Sequence, residues 1–332
     1  MENRRRRSIS VIAGAMNLER LVSLSGEGTI FPFYHVVSNL SLPHMKHLYA
    51  YPDESQFEKD LDEMLRVFSP ISIEAYLEGE AGSGSRRQMV LSFDDGLLEC
   101  HQIIAPLLRK KGVPAIFFLN NDFIDNKALF FRYRASLLID YLSKERGALS
   151  LAAKYLSVPE GQVGEALMMV TYQQQALLKA LSQHIGIDEA AYLNENPLYM
   201  STRQVRDLSN WGFHLGAHSM DHPEFFRMTE EEMVSGVKRS MQDIKERFRI
   251  DPATFAFPFT SDGVPEGVID ALLTGGVADV IFGTAGLKRT GKDRFIQRIP
   301  MESMDMPALR LLKAEYLYYL LKAPLGRNNY FK

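Results

Sequence analysis

A strand–helix–strand run between residues 88 and 120 constrains this chain more than any other feature. QMVLSF (88–93) is a short apolar strand. Residues 97–111 follow with helical spacing, Gly112 stops that helix, and AIFFLN (115–120) is a second strand, apolar almost throughout. A strand with apolar residues on both faces must be covered on both sides. The run therefore reads as a β-α-β unit of a parallel sheet clad in helices. The alternation returns downstream with FHLGAHS (213–219) as strand, 229–248 as helix, TFAFPF (254–259) as strand and 265–274 as helix. ADVIFGT (278–284) and FIQRIP (295–300) follow as strands and 305–322 as a final helix. Upstream, the β-branched and aromatic TIFPFYHVV (29–37) predicts a strand. Phe57, Leu61, Met64, Leu65 and Phe68 predict a helix over 55–68 behind Ser55 as a cap. These steps give an α/β chain, either a closed parallel barrel or an open doubly wound sheet. Both place ligands at the C-terminal ends of the strands.

Residues 127–212 interrupt the pattern with Leu, Ala, Gln and Glu at helical spacing, and helices are expected over 130–144, 159–171 and 172–186. We read one catalytic domain over 1–332, with an N-terminal arm and helix over 1–25 and a helical insertion over 127–212. With 332 residues, 46% of them hydrophobic, the chain can bury a large core. A net charge of −3 gives no basic field to favour nucleic acid. The single cysteine, Cys100, rules out a disulfide framework within the chain and is compatible with a cytoplasmic location. Arg4–Arg7 precede a short, interrupted apolar run, which reads as a basic arm leading into a helix rather than an export signal. No run approaches the ~20 apolar residues of a membrane span. The aromatic, lysine-bearing tail from Ala308 onward fits an outer barrel helix with snorkelling lysines; it also fits an interfacial helix in peripheral contact with a membrane.

Two stretches carry candidate chemistry. LSFDDG (91–96) ends a strand with Asp94 and Asp95 side by side. Adjacent carboxylates repel, so something must offset the charge, although Asp-Asp-Gly is also ordinary turn and cap chemistry. HSMDHP (218–223) places His218 and His222 four apart just after a strand. Two histidines and one carboxylate make a three-ligand metal site with open positions; the same pair could equally be surface loop histidines. A divalent ion at Asp95, His218 and His222 would offset the repulsion and lower the pKa of a water, leaving Asp94 to take its proton. Of the other candidates, His214 should share a strand face with His218 in a structural role, Trp211 should pack at a helix end, and Asp221 should be solvated. His44 and His47 receive no role.

LSFDDG followed by HSMDHP resembles the two leading motifs of the polysaccharide deacetylases, the NodB-homology group or carbohydrate esterase family 4. That resemblance implies a distorted (β/α) barrel and a divalent ion, commonly Zn2+, with Co2+, Ni2+, Mn2+ or Fe2+ as alternatives. It implies removal of an N- or O-acetyl group from a carbohydrate or glycoconjugate. By the same resemblance Asp94 is the general base and Asp95, His218 and His222 are the metal ligands. The family's third motif is altered here. FAFPFTSDG keeps Pro258 but has Ala256 in place of an Arg and Phe259 in place of a Tyr. The Phe259 N–H could still serve as the oxyanion donor; Arg298 in FIQRIP or Arg132 in FFRYR could replace the arginine that orients the base. No histidine follows His222. A circularly permuted branch of the family carries its general acid in an N-terminal Tyr-His segment, and FPFYHVVSN resembles it, making His35 the candidate acid. Three other readings stay open: hydrolysis of a non-sugar amide, a catalytically decayed carbohydrate-binding or scaffolding protein, and a non-haem iron oxygenase.

Overall fold

The computed structural model describes residues 9–79, 87–302 and 306–331; Arg4–Arg7 lie outside the described residues. Within them the strands in chain order are β1 (Thr29–Ile30), β2 (Pro32–Tyr34), β3 (Ser69–Pro70), β4 (Gln88–Met89), β5 (Leu91–Phe93) and β6 (Ala115–Leu119). β7 (His214–Ala217), β8 (Thr254–Ala256), β9 (Val280–Gly283), β10 (Phe295–Gln297) and β11 (Ile299–Pro300) follow. Eight of them pair, all parallel, in the order β10-β9-β8-β7-β6-β5-β2-β11. β10 and β11 are the two halves of FIQRIP, separated only by Arg298. The first half pairs with β9 and the second with β2. The Arg298 N–H donates to the Gly283 carbonyl (3.1 Å), and the Ile299 N–H donates to that of Phe31 (2.8 Å). One stretch thus bonds to both edges of the sheet, which makes the distorted (β/α) barrel.

Alternation along each strand explains the sequence pattern. Ile116, Phe118, Val280 and Phe282 fill one buried cluster with Phe31 and Val90. Phe117, Leu119 and Ile281 point the other way, into a cluster shared with the helices. Both faces are covered, so AIFFLN has to be apolar throughout. TIFPFY and QMVLSF are each broken in two rather than continuous. β1 and β4 belong to a small sheet ordered β1-β4-β3, and the chains enter the barrel at Phe31 and Val90.

The helices follow the expected punctuation with local differences. Glu54–Leu65 is capped by Asp53, whose carboxylate accepts the Gln56 N–H at 2.7 Å, not by Ser55. Glu230–Phe248 starts in a capping box of Thr229 and Glu232. Ala308–Lys322 buries Leu311, Leu312, Tyr316 and Tyr319, as an outer barrel helix must. No described helix is long and apolar enough to cross a membrane.

Among the described residues, six α-helices separate β6 from β7: Phe131–Lys144, Arg146–Leu156, Val163–Met169, Ala176–His184, Glu189–Glu195 and Thr202–Asn210. Most pack around a core of their own that includes Leu138, Leu142, Leu167, Leu178 and Leu181. Val36, Leu42 and Met45, just beyond the end of β2, join that core, so the helical layer rests on the C-terminal rim of the barrel.

Candidate active site

Each candidate residue sits just past a strand. Asp94 and Asp95 follow β5, His35 follows β2, His218 follows β7 and Phe259 lies three residues beyond β8. All of them and His222 border one cavity of about 470 Å³. The turn after β5 is sharp: Asp95 and Gly96 both have left-handed backbones (φ 70° and 66°). A Cβ on Gly96 would lie 3.0 Å from Leu119 Cδ2, so both conformation and space favour glycine there.

The two aspartates meet different partners. Asp94 is bound on both oxygens by the fully buried Arg298, at 2.7 and 2.8 Å. Burial would raise its pKa, and the guanidinium outweighs burial and holds the carboxyl below its usual range. Arg298 also receives support from Ser92 Oγ (3.1 Å) and the Gly283 carbonyl (3.3 Å), and lies 4.2 Å over the Phe33 ring. Of the two arginines offered by the sequence, this one reaches Asp94. Arg132 turns instead to Glu224 (3.5 Å).

Asp95 faces the histidines. Its Oδ1 lies 3.3 Å from His222 Nε2 and 3.5 Å from His218 Nε2, while its Oδ2 accepts from the Tyr133 hydroxyl at 2.5 Å. Burial would raise the pKa of Asp95, and the surrounding histidines, His222 foremost, outweigh it and hold the carboxyl far below the usual range. His218 Nδ1 lies 2.8 Å from the Ala256 carbonyl; that contact puts the proton on Nδ1 and turns the Nε2 lone pair toward Asp95. Burial lowers the pKa of His218 to about 4, keeping the ring neutral.

His35 has the opposite bias. Its Nδ1 is 2.5 Å from Glu302 Oε2, and Glu302 also accepts the backbone N–H groups of His35 (3.0 Å) and Val36 (3.1 Å). Burial opposes protonation of His35, yet the neighbouring carboxylate prevails and pushes its pKa up to about 9. Phe259 stands in the left-handed region (φ 56°) with its ring against His222 (4.6 Å) and Phe130 (5.8 Å).

Asp95, His218 and His222 each offer one ligand atom, all within 4.8 Å of one another and all buried. Asp95 Oδ1 has no hydrogen-bond partner although it is shut away from solvent. A buried acceptor is costly to leave unmatched, and a divalent ion between one carboxylate and two imidazoles satisfies it. The residues fit such an ion.

Glu302 and Tyr133 were not singled out from the sequence. Glu302 stands two residues past β11, and the rule that ligands gather at strand C-termini pointed there. Tyr133 comes from the insertion, and no local signal marks it. His214 is structural as expected, bonded to Glu74 (2.7 Å) and Thr254 (3.1 Å). Trp211 caps a helix and stacks on His101. Asp221 is not simply solvated, since it accepts from the Tyr172 hydroxyl at 2.5 Å.

Solved structures share this architecture. IcaB from Ammonifex degensii aligns over 86% of this chain and 97% of its own, at 16% identity and a TM-score of 0.55. The Streptococcus pyogenes deacetylase PplD, solved with acetate, aligns over the same shares at 11% identity and a TM-score of 0.56. A polysaccharide deacetylase from Bacillus cereus covers 86% of this chain and 68% of its own, at 11% identity and a TM-score of 0.52. No curated protein sequence matches the chain. The model of the polysaccharide deacetylase family, however, matches residues 81–272, a span that runs from before the paired aspartates to beyond Phe259. With more than half of the sequence inside that match, and the barrel and its rim arranged as described, this chain belongs to the polysaccharide deacetylase family.

Proposed function

We propose that this protein hydrolyses an acetyl group, above all an N-acetyl group, from a carbohydrate or glycoconjugate, using a divalent ion held by Asp95, His218 and His222. One observation carries the reading: the buried, partnerless Asp95 Oδ1 faces two imidazole nitrogens in the same cavity as Asp94 and His35. A divalent ion held there, Zn2+ by its donor set, would supply Lewis acidity toward an acetyl carbonyl and toward water. Asp94, kept ionised by Arg298, accepts the proton of the attacking water. The Phe259 N–H donates to the developing oxyanion. His35, kept protonated by Glu302, gives its proton to the leaving nitrogen or oxygen. Family membership supports this chemistry, and the fold neighbour PplD is a deacetylase solved with acetate.

The test pairs metal content with acetate release from acetylated glycans. Wild type should carry about one divalent ion per chain, the number a single three-ligand site can hold. Asp95→Ala should lose the ion. Asp94→Asn should retain the ion and release no acetate. A wild-type protein that takes up no ion after addition of zinc, cobalt or nickel, and releases no acetate, overturns the proposal.

A further inference from the structure

We infer that the helical insertion positions His222, through Tyr172 and Glu224, and thereby sets the affinity of the site for its cation. The inference rests on the metal-site reading above.

The segment 218–224 between β7 and the short turn Phe225–Arg227 has neither helix nor strand. Ser219 (φ 72°) and His222 (φ 59°) hold left-handed backbones, which residues with a Cβ avoid unless their surroundings impose them. The first half of the segment is held by the end of β6. The His218 N–H donates to the Leu119 carbonyl (2.8 Å), and Asn120 Nδ2 donates to the His218 carbonyl (2.5 Å). The backbone N–H groups of Asn121 and Asp122 donate to the carbonyls of Ser219 (3.3 Å) and Met220 (3.0 Å).

The second half is held by the insertion. The Tyr172 hydroxyl donates to Asp221 Oδ2 at 2.5 Å, and the Tyr172 N–H donates to Glu224 Oε2 at 3.1 Å. Arg132 reaches the other oxygen of Glu224 at 3.5 Å. Glu224 is buried, and Arg227 closes on it at 3.2 Å. Asp221 and Glu224 bracket His222, so both anchors of this half are tied to one short stretch of the insertion around Tyr172.

The two histidines need different support. A ligating imidazole is ordinarily oriented by a partner on its other nitrogen. His218 has one, the Ala256 carbonyl, whereas His222 Nδ1 is buried with no hydrogen-bond partner. The His222 ring rests instead against Phe130 (4.2 Å) and Phe259 (4.6 Å), and the His222 backbone N–H donates to Ser219 Oγ (3.0 Å). The insertion therefore does for His222 what the barrel carbonyl does for His218. Tyr172 and Glu224 are positioning residues, since neither offers an atom to the cation.

The experiment measures Zn2+ affinity of the full chain by competition with a chromophoric chelator, alongside the melting temperature in EDTA. Tyr172→Phe should weaken Zn2+ binding about tenfold, and Tyr172→Phe with Glu224→Gln by up to about a hundredfold, the range over which such supporting contacts act. The Tyr172→Phe melting temperature should stay at the wild-type value. Leu178→Val, a buried core change within the insertion that removes none of the Tyr172 hydrogen bonds, should lower the melting temperature and leave Zn2+ affinity unchanged. Wild-type affinity in Tyr172→Phe overturns the inference. So does an equal loss in Leu178→Val, because affinity would then follow insertion stability alone. If the double variant fails to fold, Tyr172→Phe carries the test. A wild-type chain that binds no Zn2+ overturns the metal-site reading itself, which is a different result from a variant that binds as wild type does.

Discussion

Asp94 and Asp95 are neighbours in the chain and face different surroundings because the left-handed turn at Asp95 rotates their carboxyls apart. One finds a guanidinium and the other two imidazoles. Arg298 is fully buried, so removing it strands an unpaired carboxylate in the core. Arg298→Ala should cost about 3–5 kcal/mol of stability, read as a lower urea midpoint. A loss within experimental error would show that the pair is not sealed from water. At the end of the neighbouring strand β2, His35 has a pKa of about 9 against an ordinary 6.5, raised by Glu302 against the effect of burial. Its protonated form contributes stability that is fully present below pH 6.5 and lost as the pH climbs through about 9. Glu302→Gln should therefore move the alkaline limb of kcat/KM for acetate release from near 9 toward 6.5 or below. An unmoved limb would remove His35 as the acid. The aspartates and histidines were legible in the sequence because their spacing is local. Their partners were less so: Glu302, 267 positions from His35, was not singled out, and Arg298, 204 from Asp94, was only one of two arginines on offer. Only the closed barrel brings them together.

Strand–helix alternation was legible where each strand had two buried faces, as in AIFFLN. It was coarser where the chain changes sheets. TIFPFYHVV reads as one strand but breaks at Phe31 and ends at Tyr34, because the break is set by which neighbour each half pairs with. The insertion shows the same limit. Arg146–Leu156 and Glu189–Glu195 lie in the stretch read as helical but had no bounds of their own; short helices in this layer owe their stability to the core around Leu138 and Leu178 rather than to their own sequence. Packing between elements is close where β6, β7 and β8 touch. A Cβ on Gly216 would fall 2.5 Å from both the Phe118 ring and Thr254 Oγ1, so that position admits only hydrogen. Gly216→Ala should destabilise the protein by about 1–3 kcal/mol through overpacking, visible as a lower melting temperature. It should also reduce Zn2+ affinity, since His218 stands two residues on. A variant melting with wild type would mean the strands separate without strain.

At the scale of the whole molecule, the barrel is closed by a single staggered stretch, 295–300, with Arg298 at its midpoint. The same side chain that neutralises Asp94 therefore sits where the two sheet edges meet, and the proposed active site and barrel closure share one residue. The proposed cation joins parts equally far apart. Its ligands follow β5 and β7, with β6 between them. An ion bound there ties two non-adjacent strands to the segment held by the insertion, and it binds only when all three are assembled. Ligand linkage then stabilises the native state by about 2.7 kcal/mol at a free ion concentration a hundred times Kd. For a chain of this size that corresponds to a rise in melting temperature of roughly 4 °C. Wild type should show the rise on adding Zn2+ and lose it with EDTA. Asp95→Ala, which lacks the carboxylate between the two imidazoles, should show neither. A wild-type melting temperature indifferent to Zn2+ would mean that no ion bridges the strands, and the buried, partnerless Asp95 Oδ1 would need a different partner.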